Sequence, residues 1–243
     1  MSDIVKVSWS GGKDSSCAVM KHLELGHKVK AVCYIPMFTE EIPFICKNHY
    51  EFILRTADKF RALGAEVHIV TGETYFHFVL RRSSRGKFKG RMFGFPLFQS
   101  GKCGFKRDSK IKALDALDIG YYDYEDIGIA ADEVARHGQL TEKKRSILCE
   151  LGITEQDAKE YDILHDILSP HYDYNTRDGC ALCPNAKVAE RESDGLTITR
   201  KRYLWYCFYS KKLGENDLIC SLCESIGGFL KTNTVSRYHA PSG

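Results

Sequence analysis

The sequence predicts an α/β fold: a doubly wound, mostly parallel sheet with a small cysteine-rich appendage towards its C-terminal end. Three observations predict it. Apolar, β-branched runs alternate with helix-like stretches in the order strand, helix, strand, helix, strand, the pattern of a sheet joined by crossover helices. A glycine-rich turn, Ser10-Gly11-Gly12-Lys13-Asp14-Ser15, separates the first strand from the first helix. Two CxxC pairs follow a change of composition near Leu168-Ser169-Pro170.

Taken in order, residues 4–9 alternate apolar with polar side chains and read as the first strand. Residues 15–25 read as a helix stopped by Gly26, because a glycine just past a periodic segment suits the left-handed cap. Residues 29–35 form the second strand, 49–63 a second helix stopped by Gly64, and 66–70 the third strand. The stretch 108–117 reads as a helix, 126–131 as a strand, and 141–151 as a further helix. Thr154 caps a helix over 154–164, with Glu155 and Asp157 favourable in its first turn. These elements define a main domain over residues 1–168. Residues 169–243 form the appendage, in which the aromatic stretch 203–209 packs onto the main domain or stacks bases.

The 243 residues are 43% hydrophobic and 28% charged, an ordinary globular composition that needs no disulfide staples. No apolar run approaches the roughly 20 residues of a membrane span. Met1-Ser2-Asp3 leads directly into the first strand, so the expectation is a cytoplasmic protein without a signal peptide or a membrane partner. In that reducing setting the 10 cysteines are metal ligands, reactive groups or small core residues rather than disulfides. Cys17 and Cys33 fall within a helix and a strand and read as core. Cys46 and Cys149 have no evident partner. The net charge is +3, but residues 81–112 carry eleven cations against Asp108 alone, a local +10. Phe88, Phe93, Phe95 and Phe98 lie among them. This pattern suits tRNA or another nucleic acid, or equally a glycine-hinged flap (Gly86, Gly90, Gly94) over an anionic substrate.

The turn at residues 10–15 carries the clearest chemistry. Glycines between a strand and a helix present backbone amides at a helix start, where the dipole also favours an anion. Lys13 adds a positive charge for phosphate oxygens. Spacing alone also admits a plain βα turn without a ligand. Asp132 and Glu133 follow a strand at the place where open α/β sheets bind ligands. They could hold Mg²⁺, and Arg136 a phosphate, or they could be a solvated helix start. The nine histidines show no HxH or HExxH spacing. Cys180 and Cys183 form one CxxC, and Cys220 and Cys223 the other. Two-residue spacing lets both thiolates reach one metal, so a four-cysteine zinc site is the direct reading.

Ser10-Gly11-Gly12-Lys13-Asp14-Ser15 resembles the SGGKDS signature of the PP-loop ATP pyrophosphatases, the adenine nucleotide alpha hydrolase superfamily, whose domain is Rossmann-like. Three further segments are similar to its phosphoadenosine-phosphosulfate (PAPS) reductase-like group. They are the segment from Cys103 through Lys106 and Lys110 to Lys112, the run from Ile127 through Asp132, Glu133 and Arg136, and Gly179-Cys180-Ala181-Leu182-Cys183-Pro184. The likeness spans Val5 to about Lys187. It implies that Ser10, Gly11, Gly12, Lys13, Asp14 and Ser15, with Lys110, Asp132 and Glu133, bind ATP or another adenine nucleotide with Mg²⁺. Lys13, Asp14 and Arg136 would then serve the chemistry. That chemistry would be adenylation of a substrate oxygen with pyrophosphate release, followed by sulfur or nitrogen transfer, by a chain that could assemble as a homo-oligomer. The resemblance also implies that Cys103 joins Cys180 and Cys183 in holding an Fe–S cluster or Zn²⁺. The fourth ligand would be Cys207, Cys220, Cys223 or an exogenous group. PAPS reductases themselves carry a C-terminal ECGxH motif, whereas residues 237–243 contain no cysteine. Adenylyl-sulfate reductases carry a cysteine pair where only Cys103 stands. Sulfate reduction is therefore the second reading, and a nucleotide- or nucleic-acid-binding module without turnover the third.

Overall fold

The computed structural model of the chain describes residues 2–45, 47–90, 103–173 and 180. Cys46, Arg91, Phe93, Gly94, Phe95, Phe98, Lys102, Cys183, the aromatic stretch 203–209, Cys207, Cys220, Cys223 and the tail lie outside these residues. So does the appendage, apart from its first residues and Cys180.

Among the described residues five strands form one sheet: β1 (Ile4–Trp9), β2 (Lys28–Tyr34), β3 (Glu66–Val70), β4 (Tyr124–Asp126) and β5 (Lys144–Arg145), in the order β3-β2-β1-β4-β5. Every pairing is parallel. The register places Val5 beside Val29, Val7 beside Ala31 and Trp9 beside Cys33, so these side chains share one face. Against that face pack α1 (Lys13–Glu24), α2 (Lys47–Ala62), α5 (Ile147–Leu151) and α6 (Glu155–Leu164), and together they close the main core. Trp9 meets the Phe60 ring edge-on at 5.1 Å and donates its indole N–H to Ser16 Oγ at 3.0 Å. Burying aromatic side chains of this size contributes on the order of 2 kcal/mol each. Cys17 and Cys33 are in this core with no exposed surface, and burial pushes both thiols up to about 12.

The opposite face is polar at its centre, where Lys6 pairs with Glu125 at 3.1 Å and Ser8 donates to Glu125 at 2.7 Å. A helical segment reaches this face. Its π-helical turn, Lys106–Ile111, continues into α4 (Lys112–Asp115). Tyr34 shares a hydrogen bond of 2.6 Å with Ser109, and the Lys30 ammonium donates to the Ile119 carbonyl. Helical segments thus lie on both faces, as the double winding requires. Among the described residues no helix is long and apolar enough to cross a membrane.

Most boundaries match the sequence reading within two residues, and Gly26 and Gly64 take left-handed angles. Thr154 caps α6 in a complete capping box with Asp157. Three readings need correction. The strand expected over 126–131 ends at Asp126. Its apolar continuation is buried as a loop because Gly128 lies against the backbone of Asp14 and Ser15. The helix expected over 141–151 is instead a turn, then β5, then α5. Ser146 breaks it by accepting the Cys149 amide as the α5 cap. The π-helical turn begins two residues before the helix expected from 108. A further helix, α3 (Tyr75–Leu80), has an apolar run too short to show a period; Thr74 caps it.

Candidate functional site

The glycine-rich loop leaves the C-terminal end of β1, the central strand, and the loop after β4 runs beside it. Strand order reverses here, because β1 leads to β2 on one side and pairs with β4 on the other. This crevice is where open α/β sheets bind ligands. Gly11 has φ +80°, and a Cβ on it would stand 2.7 Å from Ile53 and 2.9 Å from His49. Glycine is therefore required by both angle and space. Ser15 fixes the loop from within: its hydroxyl donates to the Gly12 carbonyl at 3.0 Å and accepts the Ser10 amide at 3.1 Å. His49, buried beneath the loop, bonds to the Ser10 backbone and meets Ser169 Oγ through Nδ1 at 2.9 Å. Burial and the neighbouring His171 hold His49 down at about 4, so it is neutral at physiological pH.

The charged groups of this corner are arranged in pairs. Lys13 Nζ donates to both Asp14 oxygens, at 3.0 and 2.9 Å, and to Glu155 Oε1 at 2.6 Å. Burial pulls the Lys13 ammonium down, but hydrogen bonds to Glu155 and Asp14 outweigh it and the net shift is upwards. Burial raises Asp14, with Glu155 and Glu133 adding to the rise against Lys13. The Glu155 amide donates to Asp132 at 3.0 Å, and Arg136 Nη1 holds both Glu133 oxygens at 2.7 Å. The structure therefore gathers Ser10 to Ser15 with Asp132, Glu133 and Arg136, and adds Glu155 and Tyr172. The amides of Asp14 and Ser15 have no acceptor among the described residues, so α1 opens with donors facing the crevice.

Lys110 and the cysteines belong to a second corner, beyond the C-terminal ends of β2 and β3. Phe38, Phe44, Tyr75, Phe78 and Phe105 form an aromatic cluster, and Cys103 and Cys180 both pack against it, half-buried. The two thiols stand 77 positions apart in the chain, and the fold brings them to one place. Both also bear on Tyr34, whose hydroxyl burial pushes up to about 12. Lys110 lies 5.9 Å from the Tyr34 ring centroid, on the π-helical turn. Burial and the neighbouring Lys106 lower its ammonium, while Cys33 and Cys180 act to raise it. Such π-turns are often found at functional sites.

The basic segment is partly neutralised from within. Asp108 is buried and takes Arg107 at 2.7 Å, Arg81 at 3.0 Å and Lys112 at 3.7 Å. Hydrogen bonds from Arg107 hold its carboxyl down at about 2. Arg85, Lys89 and Lys106 are exposed.

Sequence reasoning missed Glu155, His49 and Tyr172 as parts of the corner around the glycine-rich loop. Glu155 stood only as a helix-start acid, and no spacing marks the other two. Among the described residues, no three of His, Cys, Asp and Glu converge as ligands for one metal ion. Protein-family models give no match to this chain, and curated proteins give no significant match.

Proposed function

We propose that this protein binds the phosphates of ATP, or of another adenine nucleotide, at the loop 10–15. In this reading it transfers the adenylyl group to a substrate oxygen with release of pyrophosphate, ahead of sulfur or nitrogen transfer to the activated carbon. The observation that carries the reading is the loop itself. Its left-handed Gly11, close-packed against Ile53 and His49, sits at the switch point of a parallel sheet and opens a 12-residue helix.

Amides at the start of α1 and the Lys13 ammonium would hold the phosphate chain and stabilise the charge that builds on departing pyrophosphate. Arg136, now held by Glu133, is the nearby guanidinium. The carboxylates of Asp14 and Asp132 are hard oxygen donors and fit Mg²⁺, which is commonly bound by one or two carboxylates with the remaining oxygens from phosphates and water. When bound, Mg²⁺ would neutralise part of the pyrophosphate charge. In the aromatic corner the half-buried thiols of Cys103 and Cys180 suit a soft metal, Zn²⁺ or the iron of an Fe–S cluster. Cys183 is the third candidate ligand in the sequence. The exposed cations of residues 81–112 would meet an anionic acceptor such as tRNA.

The test is release of pyrophosphate from labelled ATP with total tRNA or small carbonyl compounds as acceptors, and of AMP once sulfide or ammonium is added as nucleophile, for wild type and Lys13→Ala, with adenylyl sulfate tried separately as a substrate for reduction. Lys13-dependent release with one of the acceptors is the expected outcome. Sulfite formation with thioredoxin would favour the reductase reading instead. Binding of ATP with no turnover under any condition would favour the binding-module reading.

A further inference from the structure

Two donors that a phosphate chain would use at the loop, the Lys13 amide and the Lys13 ammonium, are already engaged by the protein. The Lys13 amide, in the first turn of α1, donates to the Tyr172 hydroxyl at 3.2 Å. The Lys13 ammonium donates to Glu155 at 2.6 Å. Neither acceptor belongs to the loop. Tyr172 is 159 positions away on the turn Pro170–Asp173, and Glu155 is 142 positions away on α6. Both place an oxygen where a phosphate oxygen would go. A second observation points to the same corner. Asp162 has no exposed surface, and neither of its carboxylate oxygens has a hydrogen-bond partner among the described residues. The charges that act on it are those of Asp14 and Lys13. Asp162 is thus a buried acid without a hydrogen-bond partner, within electrostatic reach of this corner, whose polar capacity the resident groups leave unused.

We propose that Tyr172 and Glu155 are internal occupants of the phosphate site, and that a di- or triphosphate binds by displacing both from Lys13. The proposal rests on the phosphate-site reading above and adds its regulation. The phosphate group and the docked Tyr172 hydroxyl are mutually exclusive, so occupancy of the loop decides whether the turn 170–173 keeps its contact with α1. At the Lys13 amide the exchange is favourable in direction, because a neutral amide–hydroxyl bond gives way to a charge-assisted one, while at the ammonium one charge-assisted bond replaces another. Ser169, held by His49, stays as the fixed point behind the turn.

The experiment is a calorimetric titration of the whole protein with pyrophosphate, with and without Mg²⁺. It compares wild type, Tyr172→Phe, Glu155→Gln, the double variant and Lys13→Ala. Glu160→Gln makes the same charge change on the same helix and serves as the control. The expected result is a Kd for pyrophosphate about three- to tenfold lower in each single variant, lower again in the double variant, and unchanged within about twofold in Glu160→Gln. Tyr172→Phe changes no charge, so its gain is not a general electrostatic effect. If wild type binds in a Lys13-dependent way but Tyr172→Phe binds equally or more weakly, the proposal is overturned and the phosphate site stands. If neither wild type nor the double variant shows Lys13-dependent binding, both fail. The tyrosine ring-carbon NMR signal assigned to Tyr172 gives an independent reading. It should shift as pyrophosphate saturates the protein, and an unmoved signal at saturation overturns the proposal even if the variants fold poorly.

Discussion

The two corners at the C-terminal ends of the strands are built by opposite means. The loop corner is built around the backbone and short polar side chains of one contiguous loop, stiffened by a glycine that nothing larger can replace. The cysteine corner is made of five aromatic rings from three separate stretches, with two thiols and Lys110 at its margin. The first presents aligned donors and paired charges and is suited to an anion. The second lowers the local polarity and is suited to soft ligands and to a lysine whose charge is disfavoured. A backbone-built site tolerates few changes at its glycine, whereas a side-chain-built site should lose its ligand one residue at a time.

The largest expected effect tests that contrast directly. Gly11→Ala should cost about 3 kcal/mol or more in urea unfolding and abolish nucleotide binding, because it meets both strain and contact. Gly26→Ala has a similar φ of +75° but open space around it, and should cost only about 1–2 kcal/mol. Equal losses would show that space at Gly11 is unimportant.

Asp162→Asn should be stabilising by on the order of 2 kcal/mol at pH 8 and neutral near pH 3.5. Burial, with Asp14 adding to it, raises the Asp162 carboxyl from 3.8 to about 9. Between those values the folded state keeps a proton that the unfolded state releases, so wild-type stability declines as pH rises through that window. The variant should lack this decline. Parallel pH profiles would show that Asp162 is satisfied in solution.

Asp108→Asn should cost about 1–2 kcal/mol at neutral pH, since it removes the carboxylate that Arg107, Arg81 and Lys112 share. With its folded value at about 2, below the ordinary 3.8 of an aspartate, this contribution is present above pH 4 and lost as the pH falls towards 2. A cost that persists at pH 2 would place the effect in packing instead. The smallest effect on stability is expected from Cys103→Ser and Cys180→Ser, both half-buried. Each should lower the iron or zinc content of anaerobically purified protein while ATP binding changes less than about twofold. A matching loss of ATP binding would merge the two corners into one.

The loop corner was legible because its signal is local: six consecutive residues set the turn, the cap and the lysine. Strands β1 to β3 and helices α1 and α2 were legible for the same reason, since their periods and terminal glycines lie within each segment. The run after Asp126 was misread because apolar residues bury equally well as a strand or as a loop wedged beneath α1. Residues 141–151 were misread because Ser146 acts as a cap only once β5 has joined the sheet edge beside Glu125 and Asp126. Tyr172, Glu155 and His49 reach the loop through tertiary contacts that leave no pattern in the sequence. The pairing of Cys103 with Cys180 was expected from resemblance alone, and the shared aromatic cluster gives it a physical setting.

The most direct test of the central claim is equilibrium binding of ATP with Mg²⁺ to wild type and Lys13→Ala by calorimetry. The account predicts saturable binding of one ATP per chain, weakened about tenfold or more by loss of the ammonium. Absent binding, or binding indifferent to Lys13, would contradict it.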